Sequence, residues 1–120
     1  MATGKILIVD DEVINLHLLA NLLIPSYSII VSTNGQDALK KALEQSPDLI
    51  LLDIMMPGMD GFEVCEHLKE NNHTSHIPVI FISALNGEKD ITEGYNLGAV
   101  DYIVKPYTPE MIVKRVSNFI

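Results

Sequence analysis

Polar side chains that could do chemistry follow four short apolar runs of the sequence. Asp10, Asp11 and Glu12 follow ILIV, Asp53 follows LILL, Ser83 follows VIFI, and Lys105 with Pro106 follows YIV. Each has an ordinary explanation when taken alone, because an Asp after a strand often caps the next helix and a Ser or Lys there is often loop surface. Together they offer carboxylates, a hydroxyl and an ammonium group.

Close carboxylates repel one another and raise one another's pKa, so they are tolerated mainly where a cation binds among them. Ligand sets made only of oxygen favour Mg²⁺ or Ca²⁺ over Zn²⁺. A lysine and a hydroxyl opposite the cation would suit a phosphoryl group that bridges to the metal. The residue types therefore indicate a metal-assisted phosphoryl site, if the fold brings them together.

Five apolar runs, which alternate with five helix-like segments, must position these residues. The runs cover Lys5–Asp10, Tyr27–Ser32, Asp48–Asp53, Pro78–Ser83 and Val100–Val104. Three are apolar at successive positions, which is typical of strands covered on both faces of a parallel sheet. The alternation predicts an open sheet with helices on both faces. Ligands bind such sheets beyond the carboxyl ends of the strands, where these polar residues are expected to converge.

The helix-like segments carry end signals and apolar stripes. The end signals are Asn34-Gly35 at the start of the second segment, the capping-box pair Asp60 and Glu63 in the third, Gly98 after the fourth, and Thr108-Pro109 at the fifth. The predicted inward stripes are Leu16, Leu19 and Leu23 in the first segment and Ile112, Val116 and Phe119 in the last.

Length and composition limit the class of protein. The 120 residues suit one domain, 1–120, and leave no room for a second. A formal charge of −8 argues against direct nucleic-acid binding, which relies on basic patches. With no signal-like or membrane-length apolar stretch, a cytoplasmic protein without a membrane partner is expected. The single cysteine, Cys65, excludes an intrachain disulfide and is predicted to pack in the core.

Four segments together resemble the receiver domain of two-component response regulators, and the resemblance covers essentially the whole chain. They are VDDE at Val9–Glu12, LLDIMMPGMDGFE at Leu51–Glu63, ISA at Ile82–Ala84 and GAVDYIVKPY at Gly98–Tyr107. The resemblance implies an α/β flavodoxin-like (βα)5 fold, doubly wound around a parallel sheet of strand order 2-1-3-4-5. It also implies a phosphorelay receiver rather than an enzyme. Such a domain takes a phosphoryl group from a histidine kinase or phosphotransfer protein and controls a downstream partner or effector domain.

The resemblance implies a role for each matched acidic residue. Asp53 would be the nucleophile that accepts the phosphoryl group. Asp11, Asp53 and the backbone carbonyl of Met55 would bind Mg²⁺ directly, and Asp10 would act partly through water. The loop-shaping residues would be Pro57 and Gly61.

The remaining matched residues would stabilise the phosphoryl group and transmit its presence. Lys105 would pair with the phosphoryl oxygens, aided by a cis peptide bond to Pro106, and Ser83 would donate its hydroxyl to one of them. Tyr102 would swing inward behind Ser83 and repack the face formed by the fourth helix, fifth strand and fifth helix. The resemblance allows a phosphorylation-dependent homodimer through this face.

The residues two positions after Asp53 and Ser83 are Met55 and Leu85, both apolar. In the family, polar side chains at these positions can assist the hydrolytic water, so slow self-dephosphorylation is expected. One alternative is a phosphatase of the haloacid dehalogenase type, but it needs a second acid at the position of Met55 and usually a cap domain. The other is a phosphorylation-independent receiver-like interaction module, which typically loses the acidic pair, the acceptor or the lysine.

Overall fold

A computed structural model describes residues 4–120 as five strands that alternate with five helices. The strands are β1 (Lys5–Val9), β2 (Ser28–Ser32), β3 (Leu49–Leu52), β4 (Val79–Ser83) and β5 (Asp101–Val104). The helices are α1 (Val13–Leu23), α2 (Gly35–Gln45), α3 (Gly61–Glu70), α4 (Glu88–Asn96) and α5 (Pro109–Ser117). The predicted alternation is confirmed, and each strand lies within its predicted run. The first three residues of the predicted domain 1–120 lie outside the described part.

The five strands are parallel and lie in the order β2-β1-β3-β4-β5, which confirms the flavodoxin-like order. Their register brings the strand ends level, with Val9 opposite both Ser32 and Leu52. Just beyond, the backbone N–H of Asp53 donates to the carbonyl of Val9 at 3.0 Å. The residues that follow β1 and β3 are therefore neighbours at one edge of the sheet.

Helices cover both faces of the sheet. Helices α1 and α5 pack on one face, in a core that includes Ile6, Ile8 and Leu51. Helices α2, α3 and α4 pack on the other, in a core that includes Leu7 and Leu52. Successive strand residues point to opposite faces, so a strand covered on both sides is apolar at every position. No helix within residues 4–120 is both long and apolar enough to span a membrane.

The predicted helix caps form at Asn34, Asp60 and Thr108, whereas one residue predicted to face inward does not. The side chains of Asn34, Asp60 and Thr108 each accept a hydrogen bond from the backbone N–H three residues later. Gly98 closes the turn after α4 with a φ of 105°. The inward position predicted for Phe119 is wrong: its side chain is 37% exposed. The reason is that α5 ends at Ser117, so helical spacing no longer carries the next residues inward.

Candidate functional site

The three predicted carboxylates meet at the carboxyl ends of β1 and β3. One oxygen from each of Asp10, Asp11 and Asp53 lies within 4.8 Å of the other two. Asp10 and Asp53 are nearly buried, at 2% and 6% exposure, and Asp11 is the most exposed of the three. The parallel register of the two strands therefore assembles an acidic cluster that opens to solvent on the side of Asp11.

Lys105 reaches this cluster from β5, two strands away from β3. Its Nζ lies 3.4 Å from Oδ2 of Asp10 and 3.7 Å from Oδ2 of Asp53. The backbone N–H of Lys105 donates to the carbonyl of Ser83 at 2.9 Å, and the peptide bond that joins Lys105 to Pro106 is cis. One ammonium group among three carboxylates leaves an excess of negative charge at the site.

The protonation of Asp53 is governed mainly by its burial. Burial raises the pKa of the Asp53 carboxyl above its ordinary value; the charge of Lys105 opposes this rise, and the charge of Asp10 adds to it. The backbone N–H of Met55 also donates to Oδ1 of Asp53, at 3.3 Å. A cation among the carboxylates would relieve the repulsion between Asp53 and Asp10.

The acidic cluster suits Mg²⁺. The three candidate ligand atoms are all carboxylate oxygens, close enough together to share one ion. Mg²⁺ prefers oxygen ligands and usually takes only a few carboxylates, with water completing its coordination. The exposed side of the cluster, at Asp11, leaves room for such water.

The loop after Asp53 is held in place by the start of α3. The N–H of Gly61 donates to the carbonyl of Ile54 at 2.9 Å. A Cβ at Gly61 would lie 2.3 Å from the carbonyl oxygen of Asp53 and 2.6 Å from Cα of Ile54, which is closer than atoms can approach. Pro57 lies exposed in the same loop. The close packing of α3 against the end of β3 thus depends on the missing side chain of Gly61.

Ser83 and Tyr102 are connected through one residue of the loop between β4 and α4. The N–H of Leu85 donates to Oγ of Ser83 at 3.2 Å, and the Tyr102 hydroxyl donates to the carbonyl of Leu85 at 2.6 Å. Ser83 is buried, and Tyr102 lies inward at 7% exposure. The Tyr102 ring also packs against Phe81, with ring centroids 6.0 Å apart. A hydrogen-bonded path therefore runs from the sheet edge to the aromatic residues beneath α4.

The sequence pattern missed the part that the Leu85 backbone plays. It identified Leu85 only by its apolar side chain, which lines a cleft with Met55 and Phe62 between the loops that follow β3 and β4. Main-chain hydrogen bonds depend on loop conformation rather than residue type, so no sequence signal pointed to this link.

Almost the whole chain is similar in sequence to known proteins. The family model for the response regulator receiver domain matches residues 6–117. The chain is 45% identical over 117 residues to the response regulator PleD of Caulobacter vibrioides, across 97% of this chain and 26% of PleD. It is 45% identical over 114 residues to the transcriptional regulatory protein ResD of Bacillus subtilis, across 94% of this chain and 46% of ResD. The chain thus spans less than half the length of either relative.

Solved structures show the same fold. The chemotaxis protein CheY4 of Vibrio cholerae superposes with a TM-score of 0.92 at 28% identity, across 99% of this chain and 100% of that one. The BeF3-activated receiver domain of DrrB, a Thermotoga maritima protein, superposes with a TM-score of 0.89 at 30% identity, across 99% and 97%. The chain belongs to the response regulator receiver domain family of two-component signalling systems.

Proposed function

We propose that this domain accepts a phosphoryl group on Asp53 from the phosphohistidine of a histidine kinase or phosphotransfer protein. The observation that supports this best is the grouping of charges: the nearly buried carboxylate of Asp53 lies beside the carboxylates of Asp10 and Asp11 and the ammonium group of Lys105. An oxygen of Asp53 forms a bond to phosphorus while the bond from phosphorus to the imidazole nitrogen breaks. Lys105 stabilises the negative charge on the phosphoryl oxygens.

Asp11, Asp53 and the backbone carbonyl of Met55 are the proposed direct ligands of Mg²⁺, and Asp10 acts partly through water. When bound, Mg²⁺ supplies positive charge that offsets the repulsion between the incoming phosphoryl group and the carboxylates. Asp53 supplies the nucleophilic oxygen, and the backbone N–H of Met55 orients its carboxyl group. The domain promotes only its own phosphorylation and dephosphorylation, so it is a signalling domain rather than a turnover enzyme.

The proposed signal begins at Ser83. Its Oγ accepts a hydrogen bond from the backbone N–H of Leu85, and its hydroxyl group can also donate one, which a phosphoryl oxygen would accept. A shift of Ser83 toward that oxygen would move Leu85 and, through the carbonyl of Leu85, Tyr102. The face of α4, β5 and α5 would repack in response and bind a downstream partner, an effector domain or a second copy of the domain. Phosphorylation need shift this equilibrium by only a few kcal/mol.

Incubation with Mg²⁺ and acetyl phosphate tests the proposal, with intact mass as the measurement. One phosphoryl group that hydroxylamine removes is expected on the wild type and not on Asp53→Asn. Asp60→Asn is the matched control, because it neutralises a carboxylate in the same loop yet keeps a side chain able to cap α3. Labelling of Asp53→Asn at the wild-type level would refute the assignment. Phosphate released without accumulating would indicate a hydrolase, and no reaction would indicate an interaction module.

The phosphorylated state is proposed to be long-lived, because Met55 and Leu85, each two residues beyond Asp53 or Ser83, place apolar side chains in the cleft between the loops that follow β3 and β4. An apolar side chain at either position offers no polar group to orient a hydrolytic water. We expect Met55→Asn to shorten the lifetime of the phosphorylated state, measured as loss of the added mass after acetyl phosphate is removed. Loss within seconds from the wild type, with no phosphatase present, would contradict this part of the proposal.

A further inference from the structure

Helix α4 approaches the sheet through a glycine. Gly94 is the one buried residue within α4. A Cβ at this position would lie 3.0 Å from Cδ2 of Tyr102 and 3.1 Å from Cδ2 of Phe81, whereas ordinary contacts begin at 3.4 Å. The backbone of α4 and the two rings therefore leave too little space for a side chain unless one of them gives way by a few tenths of an ångström. Adding one would displace the helix or one of the rings.

Tyr102 is freer to move than either Phe81 or the backbone of α4. Phe81 is fully buried in β4, between β3 and β5, and packs edge-on against Phe62 at a centroid distance of 5.5 Å. A shift of α4 would also withdraw its other apolar contacts from the core, which include Ile91. Tyr102 lies on the edge strand β5, and its inward position is held by a hydroxyl hydrogen bond to the carbonyl of Leu85 and by packing of its ring against Phe81. A side chain at position 94 should therefore be relieved mainly by outward rotation of Tyr102.

We infer that Gly94 is a positioning residue for the switch: its missing side chain makes the space in which Tyr102 lies inward. The consequence for signalling rests on the proposed function. An inward Tyr102 holds the carbonyl of Leu85, and Leu85 in turn holds Ser83. Any side chain at position 94 would bias Tyr102 outward and weaken the response of the phosphoryl site, although position 94 touches neither the metal ligands nor Asp53.

The test variant is Gly94→Ala, and the probe is ¹⁹F NMR of protein that carries 3-fluorotyrosine. The chain has four tyrosines, so the Tyr102 resonance can be assigned by its absence in Tyr102→Phe. In Gly94→Ala, the Tyr102 resonance alone should gain broadening by a soluble paramagnetic agent. Affinity for beryllofluoride with Mg²⁺ should fall roughly tenfold or more, as expected for a side chain forced into a packed contact. Thr92→Ala, on the exposed side of the same helix, should change neither quantity.

If Gly94→Ala folds poorly, the same substitution is made in a Tyr102→Ala variant. In Tyr102→Ala the ring is absent, so adding Gly94→Ala should cost much less stability in urea than it costs in the wild type. An equal cost in both backgrounds, or an unchanged Tyr102 exposure, would overturn the inference, because the new Cβ would then be accommodated by Phe81 or by α4. A wild type that takes no phosphoryl group on Asp53 would refute the proposed function instead. The Tyr102 readout requires no phosphorylation, so the two failures are distinguishable.

Discussion

Gly61→Ala should damage both the stability of the domain and the reactivity of Asp53. The substitution adds one methyl group at the first residue of α3, where the chain turns back against the end of β3. The atoms that the methyl group meets are the carbonyl oxygen of Asp53, at 2.3 Å, and Cα of Ile54, at 2.6 Å. Both belong to the main chain, so no change of side-chain rotamer can relieve the overlap.

The size of the effect follows from these distances. To restore ordinary contact, the separation from the Asp53 oxygen must grow from 2.3 Å to 3.4 Å, which means a displacement of roughly 1 Å. Forcing an extra methyl group into packed structure typically costs about 1–3 kcal/mol, and a rigid main-chain neighbour places this case near the upper end. The better helix propensity of alanine returns at most about 1 kcal/mol. We therefore expect a net loss of about 2 kcal/mol in the free energy of unfolding.

The same displacement acts on Asp53, the proposed nucleophile. Misplacing a reacting group by about 1 Å can reduce a rate by roughly a hundredfold. Urea denaturation measures the stability, and the initial rate of labelling by acetyl phosphate with Mg²⁺ measures the reactivity. Gly87→Ser is the control, since a Cβ there meets only the flexible side chain of Asp90, at 3.0 Å. It should stay within about 0.5 kcal/mol of the wild type. Wild-type stability and rate in Gly61→Ala would refute the steric reasoning.

Three further predictions concern residues outside the site. Burial raises the pKa of the Cys65 thiol to about 11. Iodoacetamide at pH 8 should therefore label the protein only after unfolding, as measured by intact mass. Rapid labelling of the folded protein would contradict this. Phe81→Ala should lower the free energy of unfolding, measured by urea denaturation, by about 3–5 kcal/mol, because Phe81 is fully buried. Phe119→Ala should lower it by about 1 kcal/mol at most, because Phe119 is partly exposed. Equal losses would be inconsistent with this packing. Arg115→Ala should lower the free energy of unfolding by only about 0.2–1 kcal/mol, because the guanidinium group that pairs with Asp101 is 38% exposed. The loss should be smaller in high salt, and a larger loss that does not depend on salt would show that the pair is not screened.

The acidic cluster could be predicted from sequence because it depends on two simple features. Apolar runs show where β1 and β3 end, and parallel strands place those ends at one edge of the sheet. The position of Lys105 is different, because it depends on β5 lying beyond β4 on the same side of β1 as β3. Alternation of strands and helices is compatible with several strand orders. The order 2-1-3-4-5 therefore came from the family resemblance rather than from the periodicity of the chain.

Sequence patterns could not show which glycines are sites of close contact. A glycine within a helical pattern is read as a cost of about 1 kcal/mol relative to alanine, and nothing local explains Gly94 in α4. Its explanation is a distance of 3.0 Å to a ring on β5, which exists only after α4 has packed against the sheet. The residue that weakens α4 as an isolated helix is therefore the one that lets α4 lie directly on Tyr102. Local preference and tertiary packing oppose each other here, and they do so at the residue we expect to position the switch.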